Sequence, residues 1–353
     1  MSAQVRILIV GSGRMGTTHA ANFAAMDGVE VAGVVDRDTE AAGHLARQLD
    51  IPHRFASVEA ALEALDFDAA ANATPDAAHY PTSLPLLAAG KHVLCEKPLA
   101  ASAADARRMA QAAERAGVVH MVNLTYRAVP AMQAAARMVA EGAIGKVRHF
   151  EASYLQSWLT QPLWGDWRTD PAWLWRLSRS HGSKGVLGDV GIHILDFATH
   201  VAVDAVAGVS PRLKTYDKAP GGRTGDYRRD AKAGCAMHVS LRGGAIGSVT
   251  ATRLASGHIN DLFLRIHGDE GGLDVSAVQQ KSLLRACLGP DMASARWIEV
   301  ETAPVPTNSS RFIAAIRGAA PADPDFHTGA ALQAVLDAAE ASDAADARRV
   351  PVG

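Results

Sequence analysis

The sequence predicts a two-part α/β protein: a doubly wound parallel sheet at the N-terminus, then an α+β domain built on an open, largely antiparallel sheet. Three observations predict it. Short β-branched runs alternate with alanine-rich helical stretches through the first third of the chain, as βαβ units buried on both sheet faces require. After about residue 125 the rhythm changes to longer strand-like segments separated by glycine turns. The chain has 353 residues, more than the roughly 100 to 200 that one core usually holds.

In order, the strands of the first part are expected at 5–10, 29–36, 68–74, 92–95 and 118–124, with helices between them such as 81–89 and 102–116. Gly90 and Gly117 follow those two helices, where a residue without Cβ suits a C-cap. A helix at 130–141 leads into the second part, whose strands read as 146–154, 234–241, 245–253 and 262–268, with Gly243-Gly244 suited to a hairpin turn. A long insertion, 156–210, carries a helix over about 188–203, and a last alanine-rich helix spans 327–345. The expected domains are 1–125, 126–326 and a C-terminal segment, 327–353, packing back on the first.

Composition narrows the partners. With 48% hydrophobic residues, 20% charged residues and a net charge of −2, the chain reads as an ordinary globular protein. Its Lys and Arg are scattered, so the basic patch of a nucleic-acid binder is missing. Cys95, Cys235 and Cys287 are too few and too dispersed for a disulfide framework or a CxxC site, which fits a reducing cytoplasm. The apolar stretch 5–10 is too short for a signal h-region with a cleavage site, and no run approaches ~18 uncharged apolar residues, so neither secretion nor membrane spanning is expected.

Gly11-Ser12-Gly13-Arg14-Met15-Gly16 follows the first strand and opens a helix, the context that makes GxGxxG informative. Glycine at 11 permits the tight turn, glycine at 13 lets backbone approach a pyrophosphate, and glycine at 16 lets helix pack on strand. The helix start, with Arg14 and Met15, offers N–H groups and positive dipole to phosphates. Asp36 ends the second strand, where a carboxylate accepts from adenosine ribose hydroxyls; this favours NAD, while the neighbouring Arg37 leaves NADP open.

A second motif, Cys95-Glu96-Lys97-Pro98, puts Lys97 at a carboxyl strand end, where such sheets bind ligands. With GSGRMG at 11–16, ANATPDAAH at 71–79, CEKP at 95–98, GAIGKV at 142–147, GSKGVLGDVGIHILD at 182–196 and a closing helix around 326–342, the chain resembles the Gfo/Idh/MocA oxidoreductases over most of its length. The resemblance implies a Rossmann domain, NAD or NADP as cofactor, and a sugar, sugar derivative or cyclitol as substrate. It further implies a homodimer or homotetramer built through the second domain's sheet. Lys97, Asp189 and His193 match the family's catalytic positions. Ala73, Thr74, Pro75, His79, Glu96, Lys97 and Asn123 are assigned to the cofactor cleft, and Arg127 to substrate. Lys184 departs from the pattern, standing where many relatives carry glycine.

Oxidising a secondary alcohol requires a proton acceptor working near neutral pH, a role that suits His193. Asp189, four residues earlier, is expected on the same helical face, orienting the imidazole or a substrate hydroxyl. Lys97 would polarise the C–O bond or relay the proton. A metal site at Asp189, His193 and His200 is set aside, since it leaves Lys97 without a role and lacks cysteine ligands; no GxSxG elbow is present either.

Five of the six tryptophans, Trp158, Trp164, Trp167, Trp173 and Trp175, fall in the insertion. Aromatic faces pack on sugar C–H faces, so Trp164 and Trp167, with Arg168 and Arg176, are assigned to substrate. The bland reading, that these tryptophans fill a core or subunit contact, stays open. His19 is read as structural. Two other functions on the same fold are a glycosidase using NAD transiently and a non-catalytic NAD-binding regulator; retention of Lys97, Asp189 and His193 argues against the second.

Overall fold

The strands β1 (Val5–Val10), β2 (Val29–Val35), β3 (His53–Phe55), β4 (Ala69–Asn72), β5 (His92–Cys95) and β6 (His120–Val122) form one parallel sheet in the order β3-β2-β1-β4-β5-β6. The order reverses between β1 and β4, which opens a crevice at their carboxyl ends. The computed structural model describes residues 4–217, 220–279 and 281–353. It divides into two units: Met1–Leu124 with Pro306–Gln333, and Thr125–Val305 with Ala334–Gly353.

In the first unit β1 is buried almost throughout, because helices cover both faces of a parallel sheet and leave no polar side. Those helices are α1 (Arg14–Ala24), α2 (Thr39–Gln48), α3 (Val58–Ala64), α4 (His79–Ala88) and α5 (Ala103–Ala116). Side chains cap three of them where the sequence supplies a short acceptor: Asp38 on α2, Ser57 on α3 and Ser102 on α5. Gly90 and Gly117 take φ of 71° and 63° after α4 and α5. The short edge strand β3 is mostly exposed and so has no apolar run to announce it.

The expected boundaries need correction at the C-terminal side. The chain rejoins the first unit at Pro306, not at 327, and leaves it again after Gln333. The cause is the helix Asn308–Ile316: Phe312 and Ile313 are buried in the cluster of Ile7, Ile9, Phe23 and Leu94, with the Phe23 and Phe312 rings 6.4 Å apart. From Ala334 the long helix Phe326–Ala344 belongs to the second unit. The segment 334–353 then ends as a strand of that unit's sheet.

The second unit begins with α6 (Pro130–Ala140) and β7 (Val147–Leu155); the stretch expected as an insertion, 156–210, holds the short helix α7 (Pro171–Leu174) and α8 (Ile192–Ala202), and runs into β8 (Val206–Lys214). The strands β9 (Arg223–Thr224) and β10 (Tyr227–Arg228) form a small hairpin. Then follow β11 (Gly234–Leu241), β12 (Ile246–Thr252), β13 (Asp261–Gly268), β14 (Gly271–Val278), β15 (Lys281–Leu288), β16 (Ile298–Glu299) and, at the end, β17 (Val350–Pro351). The main sheet runs β16-β15-β14-β13-β7-β12-β11-β8-β17 and is antiparallel except for the β7–β12 pair. The hairpin at Gly243-Gly244 joins β11 to β12 as expected. Helix α6 packs on β14 and β15, and α8 on β7, covering Phe150, Ala152 and Tyr154, while the alternate residues Glu151 and Arg265 are exposed.

Strands β8, β14 and β15 were not expected. Pro211 breaks the strand signal of β8, yet it sits at a tolerated place. The N–H of Leu213, two residues on and hence on the same strand edge, goes to the Asp343 carboxylate rather than to a ladder partner. Strand β14 opens with two glycines, which reads as a turn in sequence alone.

Candidate active site

The cofactor residues expected in the first unit fall in the segments that follow β1, β2, β4, β5 and β6, with Arg14, Met15 and Gly16 in the first turn of α1 and His79 at the start of α4. Gly11 takes φ +97°, and a Cβ there would stand 2.8 Å from the Ala73 carbonyl oxygen, so the loops after β1 and β4 touch through backbone. A Cβ on Gly16 would fall 1.8 Å from the Gly11 carbonyl oxygen, whereas one on Gly13 would meet nothing within 4 Å. The open space at Gly13 is where the protein backbone can approach a pyrophosphate. Among the described residues no side chain caps α1, leaving its first N–H groups for an anion. Gly13 and Arg14 are exposed and Met15 is half-buried.

Asp36 closes this loop. Its Oδ2 accepts from the Ser12 N–H at 2.8 Å and the Ser12 hydroxyl at 2.7 Å, and its Oδ1 from the Asp38 N–H at 3.0 Å. Burial pushes the carboxyl up, but these bonds and the exposed Arg37 bring it below the usual range. The group is a standing acceptor beside the glycine turn. Open glycine, uncapped helix start and fixed acceptor fit a dinucleotide.

On the far side of the switch point, Asn72 holds the Ala73–Pro75 turn by accepting from the Thr74 N–H and hydroxyl. His79, assigned above to the cofactor cleft, is fully buried instead. Its Nδ1 lies 2.7 Å from the Pro98 carbonyl oxygen and its Nε2 2.8 Å from that of Thr74. Burial opposes its protonation, but the Cys95 side chain, Asp76 and the Pro98 carbonyl raise its pKa to about 10, so both nitrogens donate. His79 therefore ties the Thr74 turn to the Glu96–Pro98 loop.

Glu96 is similarly enclosed. Its Oε1 accepts from His19 Nε2 at 2.8 Å and from Asn123 Nδ2 at 2.6 Å, and its Oε2 from the Lys97 N–H at 3.3 Å. Asn123 in turn accepts from Asn308 Nδ2 at 3.0 Å. Asn123 and Glu96 thus support the lysine's backbone, and His19, read as structural, is part of that support. Lys97 itself is half-buried. Asn308 was missed because nothing in its local sequence links it to residue 123.

In the second unit Asp189 and His193 straddle a change of helix geometry. Leu187–Gly191 is a π-turn and α8 follows it, so the expected common face at i, i+4 is interrupted by the i→i+5 pattern. Asp189 Oδ2 meets Arg253 Nη2 at 2.7 Å. His193 packs edge-on against Tyr126, ring centroids 5.1 Å apart, and near Tyr154 at 6.2 Å. The two phenol oxygens are 2.6 Å apart, and Tyr154 donates to Asn260 Oδ1 at 3.0 Å. Burial raises the Tyr126 pKa to about 12, with the Asp189 and Asp261 carboxylates adding to the rise against the Tyr154 hydrogen bond. Burial likewise raises Tyr154. Both stay neutral hydroxyls beside the imidazole. Sequence reasoning missed Tyr126, Tyr154 and Arg253; the position of Tyr126 next to Arg127 was the one available signal.

The residues assigned to substrate divide differently from expectation. Arg127 is buried and forms a bidentate pair with Asp196, with bonds of 2.7 to 3.1 Å; this is a strut from the 125–128 turn to α8. Trp167 is 4% exposed, lies between the guanidinium groups of Arg168 and Arg229 at 4.6 and 4.8 Å, and belongs to a core with Trp158, Leu159 and Leu177. Trp164 and Trp173 pack on that core from its edge. Arg176 stacks on Trp173 and Trp175. The tryptophan segment thus shares a small core with Ala233 and Leu254, flanked by cation–π stacking. Lys184 faces Glu340 at 3.9 Å. Among the described residues no cluster of metal-ligating side chains occurs.

The family model described as an oxidoreductase family with an NAD-binding Rossmann fold matches residues 5–124, and that of the GFO/IDH/MocA C-terminal domain matches 132–274. Levoglucosan dehydrogenase of Pseudarthrobacter phenanthrenivorans is 29% identical over 82% of this chain and 77% of its own length. D-apiose dehydrogenase of Paraburkholderia graminis is 30% identical over 76% and 67%. A solved structure of levoglucosan dehydrogenase with NADH and L-sorbose has a TM-score of 0.86 at 26% identity, covering 99% of both chains. An oxidoreductase domain protein from Kribbella flavida gives 0.85 at 29% identity over 100% of both. The glycine turn with its fixed Asp36, the supported Lys97 and the Asp189–His193 turn all fall in segments that these models match, and this chain belongs to the Gfo/Idh/MocA family of NAD-binding oxidoreductases.

Proposed function

We propose that the chain oxidises a secondary hydroxyl of a sugar, sugar derivative or cyclitol, or reduces the corresponding ketone, with Lys97, Asp189 and His193 as the catalytic set. Bound NAD supplies the hydride acceptor at the nicotinamide ring. The glycine turn and Asp36 hold its pyrophosphate and ribose, Arg14 and Met15 line that turn, and the Ala73–Pro75 turn and Glu96 frame the lysine end. His193 Nε2 or Nδ1 takes the hydroxyl proton. The Lys97 ammonium donates to the reacting oxygen and favours the developing alkoxide. Asp189, paired with a guanidinium, is a fixed acceptor for a substrate hydroxyl. The observation that carries this reading is the likeness, along 99% of both chains, to a levoglucosan dehydrogenase solved with NADH and L-sorbose.

The test is a screen of levoglucosan, L-sorbose, pentoses and inositols with NAD and NADP, following absorbance of the reduced nicotinamide. Turnover with at least one sugar is expected, faster with NAD. Absence of any turnover by a protein that binds NADH refutes the dehydrogenase reading. A glycosidase using NAD transiently would instead release sugar without net reduction.

We also infer a cytoplasmic homodimer or homotetramer assembled through the outer face of the main sheet, where Glu151, His238, Thr250 and Arg265 are exposed. A small molecule, and neither nucleic acid nor membrane, is its partner; no helix among the described residues is long and apolar enough to cross a membrane. Sedimentation at micromolar concentration tests the assembly.

A further inference from the structure

We propose that Arg253 is a positioning residue for the reaction: its buried guanidinium sets the orientation of the Asp189 carboxylate and makes that orientation depend on the folded tryptophan insertion. This rests on the reading of Asp189 as a member of the catalytic set.

Arg253 directly follows β12 and is 0% exposed, one of the largest fully buried side chains in the chain. Its backbone is held from both sides, the N–H donating to the Ala233 carbonyl and the carbonyl accepting from the Leu159 N–H, each at 3.1 Å. The side chain therefore starts from a fixed base. At its far end Nη2 donates to Asp189 Oδ2 at 2.7 Å and to the Gly185 carbonyl at 3.2 Å, while Nη1 donates to the Arg176 carbonyl at 3.2 Å. The guanidinium lies over the Trp158 ring at 5.1 Å.

A guanidinium is costly to bury, and an apolar side chain of similar volume would fill the same space without desolvating a charge. What the arginine adds is direction: a planar fork whose donors have fixed angles. Nη2 takes the carboxylate and the Gly185 carbonyl, and Nη1 takes the Arg176 carbonyl. Asp189 lies within the π-turn, a geometry that sets side chains off the regular helical face. Its side chain stays 28% exposed while the guanidinium is fully buried, so the carboxylate is anchored and still reachable. The charge of Arg253 also stabilises the ionised acceptor that a substrate hydroxyl requires.

The partners come from three parts of the 156–210 stretch: Trp158 and the Arg176 carbonyl from the tryptophan segment, Gly185 from the glycine segment, and Asp189 from the turn before α8. Misfolding of the insertion would release two of the guanidinium's anchors and leave Asp189 free to turn. Trp158 and the Arg176 carbonyl thereby act on the site through Arg253.

The experiment is a double-mutant cycle on the full-length protein with Arg253→Met, Asp189→Asn and both together, with Arg253→Lys as the conservative variant. Folding is followed by thermal melting, NADH affinity by fluorescence titration, and kcat and KM with a sugar found in the screen. Arg253→Met is expected to keep NADH affinity and to lower kcat/KM by about 10²-fold, the scale of a small misplacement of a reacting group. Arg253→Lys should recover part of that loss, and in the Asp189→Asn background the Met change should cost almost nothing further. Wild-type kinetics in Arg253→Met, or losses that multiply to within about twofold, overturn the proposal. If Arg253→Met does not fold, the same cycle is run with Arg253→Lys and the same two outcomes decide. Wild-type turnover, measured first, separates the two readings: no turnover refutes the catalytic set itself, whereas turnover with multiplying losses refutes only the role of Arg253.

Discussion

Replacing Glu96 by glutamine tests the support beneath Lys97. Burial alone would push this carboxyl up from its usual 4.5; the His19 and Asn123 hydrogen bonds, with the Lys97 charge, bring it down to about 2 instead. At ~1.4 kcal/mol for each tenfold change in proton affinity, the ionised and bonded form is worth about 3 kcal/mol. The folded-state pKa is depressed, so this contribution is fully present above pH 4.5 and is lost as pH falls toward 2. Glutamine keeps one acceptor for His19 and Asn123, but its amide nitrogen would then face the Lys97 N–H, donor against donor. Urea denaturation of both proteins at several pH values measures the effect. Glu96→Gln should be less stable by about 3 kcal/mol at pH 7, and the gap should narrow below pH 4.5. Equal stability at pH 7, or a gap that does not change with pH, would refute the assignment of a buried, ionised Glu96.

Four further outcomes are expected. Asp36→Ala should weaken NAD by about 1.5 to 3 kcal/mol, as loss of a charged hydrogen-bond acceptor does, and NADP by less; equal losses in titrations of the two would undo the ribose assignment. Lys97→Ala and His193→Ala should each bind NADH normally and lose about 10²-fold or more in kcat, and a wild-type rate in either folded variant removes that residue from the mechanism. Arg127→Met breaks the buried pair with Asp196 and should cost about 3 to 5 kcal/mol of stability; unchanged denaturation with a raised KM would return Arg127 to the substrate. His79, with its folded pKa raised from 6.5 to about 10, contributes stability that is complete below pH 6.5 and lost as pH rises through about 10. Its ring resonances should show no titration step between pH 6 and 8, and a step there would show that one nitrogen faces a carbonyl without a proton.

Local chemistry was legible in the sequence wherever neighbours along the chain dictate it. The inner parallel strands announce themselves as apolar runs because both sheet faces are covered there, whereas the exposed edge strand β3 does not. The glycine turn, the acid after the second strand and the lysine after β5 carry their meaning in spacing, since each sits at the end of a strand whose direction the βαβ rhythm sets. The change of architecture near residue 125 was visible for the same reason. Only the tertiary structure decided which distant segments meet. It returned Phe312 to the first core, gave Arg127 a partner 69 residues away, put Trp167 in a buried cluster with Trp158, and buried Arg253 against Asp189. An arginine reads as a surface residue until the fold supplies a carboxylate and carbonyls to receive it. Burial and long-range pairing depend on the whole chain closing, and no window of sequence contains both partners.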